Sequence, residues 1–129
     1  MKKTMSEFLE ILELNKKRCP WLRVQSMEYM MEEMKKEIRE VEEALEKGDM
    51  ENLEEELGDI AWDYFGVLTI AELSGKADAK RVFKKLMKKV RHRKPYLFEE
   101  KHISVEESVR VWKQQKAKEV KAGTKKTGK

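Results

Sequence analysis

Glu37 and Glu40 stand three residues apart in "KEIREV", and Glu56 and Asp59 stand three apart in "EELGD". On a helix, residues three apart share a face, so each segment offers a pair of carboxylates to one side. Facing pairs of carboxylates are hard oxygen donors, the set that suits magnesium or manganese and not zinc. A divalent cation held this way bridges phosphate oxygens and lowers the pKa of a coordinated water. The charge pattern points the same way. Between Glu28 and Asp59 the chain has fourteen acidic residues against four basic ones, whereas Lys80 to Lys129 has eighteen basic against five acidic, in a protein of net charge +4. A cation for the first segment and a polyanion for the second would balance both.

The elements that must position these side chains are helices. Charged residues make up 42% of the 129 residues, and there are only six glycines and two prolines, which favours an all-α fold over a turn-rich β fold. Helices are expected over 4–18, 27–47, 50–74, 78–93 and 104–120. The first starts behind a Thr4 or Ser6 cap, and "CPWLRVQS" at 19–26 is a connector in which Pro20 disfavours helix at Cys19. Met27, Met31, Met34, Ile38, Val41 and Leu45 mark an apolar seam on the second helix, and Leu53, Leu57, Ile60, Tyr64, Val67 and Ala71 mark a matching seam on the third. "KGD" at 47–49 joins these two helices, with Gly48 suited to a left-handed turn, and so short a link makes them antiparallel neighbours. Ser104 and Glu107 form a capping-box pattern ahead of the last helix. Trp21 and Trp62 are expected in the core. The chain is read as one domain over 1–120 with a disordered basic tail over 121–129.

A hairpin folded at Gly48 pairs positions whose numbers add to 96. Glu40 then meets Glu56, Glu37 meets Asp59, and Glu33 meets Asp63, so six carboxylates line one stripe in three rungs. Like charges at such separations repel by about 1 kcal/mol per pair in water and by more when partly buried, which a divalent cation would relieve. A di-iron centre would want Glu-x-x-His pairs, but His92 and His102 lie on neither helix. The plain alternative is a solvated acidic face.

These segments resemble the MazG family of nucleoside triphosphate pyrophosphohydrolases, all-α enzymes related to the dimeric dUTPases. "CPWLRVQS" is similar to the family's Cys-Pro-Trp-Asp-x-x-Gln-Thr, "KEIREV" to Glu-Glu-x-x-Glu-Val, and "HRKPYLF" at 92–98 to Arg-Arg-His-Pro-His-Val-Phe. "EELGD" matches the second acidic motif, and "VWKQQK" at 111–116 resembles a Trp-x-x-x-Lys element. The resemblance implies that Glu37, Glu40, Glu56 and Asp59 are magnesium ligands and that cleavage falls between the α and β phosphates. Two positions depart from the family pattern. Lys36 replaces the first glutamate of its motif, which bears on metal stoichiometry or sets an ammonium near the phosphates, and Leu22 replaces the aspartate after Cys-Pro-Trp.

For the reaction, a carboxylate not fully committed to metal would orient the attacking water, with Glu40 the first candidate and Glu37 the second. Lys36, Arg91, Arg93, Lys94 and Lys116 are the candidates for holding the polyanion, and the resemblance favours Lys116. Trp112 offers a stacking face for a base, and Asp63 stands beside the metal set. Long seams in so small a chain, together with the resemblance, imply a homodimer or a dimer of dimers that completes a four-helix bundle. No apolar run is long enough for a membrane span, and a single cysteine, Cys19, with no signal-peptide pattern makes the cytoplasm the expected location. The contrasting function is a non-catalytic helical module whose basic half binds nucleic acid or an acidic partner. It is disfavoured because no groove-reading motif appears.

Overall fold

A computed structural model describes residues 1–100 and 102–123, and among them there is no strand. The helices are α1 (Lys2–Arg18), α2 (Pro20–Arg23), α3 (Met27–Lys47), α4 (Met50–Leu73), α5 (Ala79–Arg93) and α6 (Val105–Lys121), with a 3-10 turn at Pro95–Phe98. The chain divides into two compact units, Met1–Ala79 and the segment from Lys80 onward. The basic tail expected over 121–129 lies outside the described residues from 124 on.

The first unit is organised by the α3–α4 hairpin, whose ends follow from local chemistry. Ser26 caps α3 by accepting from the Tyr29 amide at 3.0 Å. Gly48 ends it at φ 67° and ψ 23°, where the Gly48 amide donates to the Leu45 carbonyl and the Asp49 amide to the Ala44 carbonyl. This is the paired closure that satisfies the last carbonyls of a helix. Asp49 then caps α4 by accepting from the Asn52 amide at 3.2 Å. The antiparallel register expected from the turn appears far from it, where the Met30 methyl lies over Gly66 so closely that a Cβ there would sit 2.5 Å from it.

The seam on α3 agrees with the expected one at Met27, Met34 and Val41, which are half-buried, and departs from it elsewhere. Met30 and Ala44 are the buried residues of α3, and Glu37 is half-buried, whereas Met31, Ile38 and Leu45 are exposed. The face turned toward α4 is therefore rotated by about one residue. The apolar stripe is wide enough to serve two contacts, and only half of it is used inside the hairpin. At the open end, Leu22, Met30 and Ile70 form the core cluster, with Cys19, Met27 and Val67 packed against it.

The connector at 19–26 contains one helical turn, α2, started by Pro20 at its first position, where the missing N–H loses nothing. It inserts Leu22 into the core at 2% exposure, but Trp21 stays 52% exposed and Trp62 40% exposed, so neither is the core residue expected. α1 begins at Lys2 with no side-chain cap, not behind Thr4 or Ser6. It is fastened by an edge-on Phe8–Phe65 contact at 5.5 Å and by Lys16 on Glu72 at 3.3 Å.

In the second unit, Ser104 caps α6 by accepting from the Glu107 amide at 3.1 Å. The Glu107 carboxylate pairs with Arg110. Arg93 is buried and joins α5 to α6 through Glu119, with Nε donating to Oε2 at 2.9 Å.

Gly48→Ala tests the hairpin turn. A Cβ there meets nothing within 4 Å, so the whole penalty comes from the left-handed backbone. The expected loss is about 1 kcal/mol, read as a lower urea midpoint at unchanged m-value.

Candidate metal centre

Halfway along the hairpin, Glu37, Glu56 and Asp59 each present one oxygen, and the three oxygens lie within 4.8 Å of one another. Glu37 and Glu56 are half-buried and Asp59 is exposed. The helix periods bring them together: Glu37 projects into the rotated seam from α3, and Glu56 and Asp59 project from one face of α4. Glu40, one turn beyond Glu37, sits on the exposed rim in contact with Glu37 and Glu56. The next rung holds Asp63, which feels the charges of Glu33 and Asp59. Lys36 is on the same helix, its Nζ 3.1 Å from Glu33 Oε1, and it also feels the Tyr29 side chain.

The electrostatics show a site short of positive charge. Glu37 Oε2 and Glu56 Oε2 are buried with no donor. Two ionised carboxylates cannot hydrogen-bond each other, so their contact is satisfied only when one of them holds a proton or when a cation lies between them. Contact with Glu56, then burial, then the Glu40 and Asp59 charges push the Glu37 carboxyl up to about 8. Glu56 is raised mainly by Glu40, and Glu40 itself is lowered because Glu56 and Glu37 donate to it. Glu37 and Glu56 are thus pushed toward the protonated form and Glu40 toward the ionised one, as three carboxyls in contact that share too few protons. Asp63 is raised chiefly by burial, then by Glu33 and Asp59. A buried acceptor pair with no donor, in a set of oxygens only, fits a hard divalent cation. Among the described residues this is the group whose spacing suits a metal.

The remaining candidates lie in the second unit. There the Trp112 ring carries Lys116 Nζ at 4.4 Å and the Arg93 guanidinium at 5.7 Å from its centroid. Arg93 is 8% exposed, and its Nη2 is buried without an acceptor. Gln115 Oε1 is likewise buried without a donor. Lys94 is exposed, and Arg91 stacks on Phe98 at 5.6 Å. The sequence reading missed Glu119 and Gln115. Glu119 stands seven residues after Trp112 and three after Lys116, on their helical face, and that spacing was the available signal.

An all-helical chain built around a hairpin with a hard-oxygen cluster for a divalent cation is the class that fold and site define. The chain belongs to the MazG nucleotide pyrophosphohydrolase family: the family's domain description matches residues 25–98. The crystal structure of a mazG-related protein from Thermotoga maritima superimposes with a TM-score of 0.80 at 42% identity, over 87% of this chain and 98% of that one. No curated protein matches the chain. No helix among the described residues is long and apolar enough to cross a membrane.

The raised Glu37 carboxyl sets a pH dependence. The folded protein keeps a proton there that the unfolded chain, with an ordinary value of 4.5, has already lost. Folding therefore takes up protons in that window, and stability of the metal-free protein falls as pH rises from about 4.5 to about 8. A divalent cation competes with that proton, so the gain in Tm on adding Mg2+ should grow over the same window, reaching several degrees near saturation. Thermal melts against pH with and without Mg2+ check both slopes. In Glu37→Gln the decline with pH and the metal-dependent gain should both shrink.

Proposed function

We propose that the protein hydrolyses nucleoside triphosphates to a nucleoside monophosphate and pyrophosphate, using Mg2+, with Mn2+ as a substitute, held by Glu37, Glu40, Glu56 and Asp59. The observation that carries this reading is the carboxylate cluster with two buried oxygens that no donor satisfies, in a chain of the MazG family. A cation bound there would neutralise phosphate charge and acidify a water. Glu40 is exposed on the rim of the cluster, in contact with Glu37 and Glu56, where its carboxylate can reach a water at the open side and take its proton, while Glu37 orients the same edge of the site. Cys19 is packed against the core cluster, and no Ser or His shares the carboxylate stripe. Direct attack by water therefore replaces any covalent intermediate, and the resemblance to the MazG enzymes implies that it falls on the α phosphorus.

Lys36, Arg93, Lys94 and Lys116 supply positive charge for the polyphosphate, and Asp63 supports the metal set. Trp112 orders the Arg93 and Lys116 cations that lie over its ring and offers an aromatic surface beside them. We take residues 1–120 as one functional domain of a cytoplasmic enzyme. Hydrolysis in oxygen-18 water tests the reaction. Label confined to the monophosphate is expected. Label in pyrophosphate would move the attack to the β phosphorus, and release of orthophosphate alone would mark a different reaction.

The unused half of the apolar stripe supports a homodimer or a dimer of dimers. Met31, Ile38 and Leu45 recur every seven residues on α3 with exposures of 45, 41 and 57%, and Leu57 on α4 is 51% exposed. A second hairpin laid on this face would complete a four-helix bundle. Sedimentation equilibrium should give at least a dimer at micromolar concentration, and Ile38→Glu should shift it toward monomer.

A further inference from the structure

Trp21 and Tyr29 are both large aromatic side chains left open to solvent, at 52% and 45% exposure, and they meet edge to face with ring centroids 6.1 Å apart. The backbone beneath them is held at several points. Leu22 is sunk into the core at 2% exposure, and Gln25 Nε2 donates to the Trp21 carbonyl at 3.1 Å. The Arg23 guanidinium donates to the Lys16 and Lys17 carbonyls at the end of α1, and the Tyr29 amide is held by Ser26. So rigid a mounting for two exposed rings contributes little to the core, because the rings are not in it. It fits a surface made in advance for a flat ligand.

Position on α3 says which ligand. At 3.6 residues per turn, Tyr29, Glu33, Lys36 and Glu40 fall within about 60° of one another, with Glu37 at the inner edge of that stripe. Tyr29 precedes Glu37 by eight residues, about 12 Å of helix rise, which is the scale of a nucleotide from base to polyphosphate. Lys36, resting on Glu33, stands between the aromatic pair and the metal set. The exposed row of Met31, Ile38 and Leu45 lies about 180° away around the same helix, so a partner docked on that row leaves the aromatic pair open. By contrast, the Trp112 ring already has two cations over it.

We infer that Trp21 and Tyr29 form the platform on which the nucleobase of the substrate stacks, with the phosphates directed past Lys36 to the carboxylates. The platform contacts a π face and no base edge, so it accepts purines and pyrimidines, with purines stacking over the larger area. This assignment rests on the reading of the carboxylate cluster as the phosphate and metal centre, and the experiment separates the two.

Isothermal titration of the full chain in Mg2+ would compare a non-hydrolysable α,β-methylene nucleoside triphosphate with inorganic tripolyphosphate, which has the polyanion but no base. Trp21→Leu and Tyr29→Leu should each weaken the nucleotide at least about five-fold, the low end of base–aromatic stacking, while tripolyphosphate stays within two-fold of the unaltered protein. Trp21→Phe, which keeps an aromatic face, should recover most of the loss and so excludes a folding defect. Equal weakening of both ligands, or no weakening of either, would overturn the platform. So would a base-selective loss in Trp112→Leu with none in the Trp21 and Tyr29 variants. Glu56→Gln should weaken both ligands together. If it weakens neither, the carboxylate reading fails whatever the aromatic variants show.

Discussion

Everything in the first unit turns on carboxylates packed into a helix seam. Glu37 occupies a position on α3 that an apolar residue would fill in an ordinary hairpin, and its Oε2 is buried without a donor, as is that of Glu56. A seam of this kind cannot stabilise itself. Like charges there repel, and burial removes the water that would otherwise screen them. The hairpin is held closed by what lies at its two ends: the capped turn around Gly48 and Asp49 at one, and the cluster of Leu22, Met30 and Ile70 at the other. Between these clamps the register is fixed, and the acidic rungs stay together although their charges favour separation.

That division explains why the apolar pattern serves two masters. A hairpin whose middle carries facing carboxylates has fewer apolar contacts along its length than its sequence could provide. The surplus appears as the exposed row of Met31, Ile38 and Leu45, opposite the stripe of Tyr29, Lys36 and Glu40. One flank of α3 carries the carboxylates and the other the exposed apolar row, and the rotated seam runs between them. The Met30 methyl over Gly66 shows how tightly the inner contact is set where no carboxylate intervenes.

Much of this was legible in the residues. Apolar spacing located the helices to within about two residues at their ends, and the Gly48 turn fixed a register that the Met30–Gly66 contact shares. The carboxylate spacing named Glu37, Glu56 and Asp59, which the structure gathers, and Glu40, which it places on the rim. The expected seam held in part: Met27, Met34 and Val41 on α3 and Leu53, Ile60, Tyr64, Val67 and Ala71 on α4 are half-buried or buried, whereas Met31, Ile38, Leu45 and Leu57 are exposed, because a wide apolar stripe does not say which of its edges faces the neighbouring helix. Trp21 and Trp62 were misplaced for a related reason: a large aromatic is buried on average, and only the path of the chain through α2 shows that Leu22, not Trp21, points inward. Glu119 could be placed on the helical face of Trp112 and Lys116 by its spacing, but its bond to Arg93, 26 residues earlier, has no local pattern to announce it.

The second unit repeats the logic of the first with the charges reversed. Burying Arg93 would be costly if its guanidinium were left bare. Glu119 answers it on one side and the Trp112 ring on another, yet Nη2 keeps an unused N–H with no acceptor. An unpaired buried donor is as demanding as the unpaired buried acceptors of Glu37 and Glu56. Each unit, taken by itself, thus keeps buried polar atoms that its own described residues leave unsatisfied: acceptor oxygens on Glu37 and Glu56 in the first, the Arg93 donor and the Gln115 acceptor in the second.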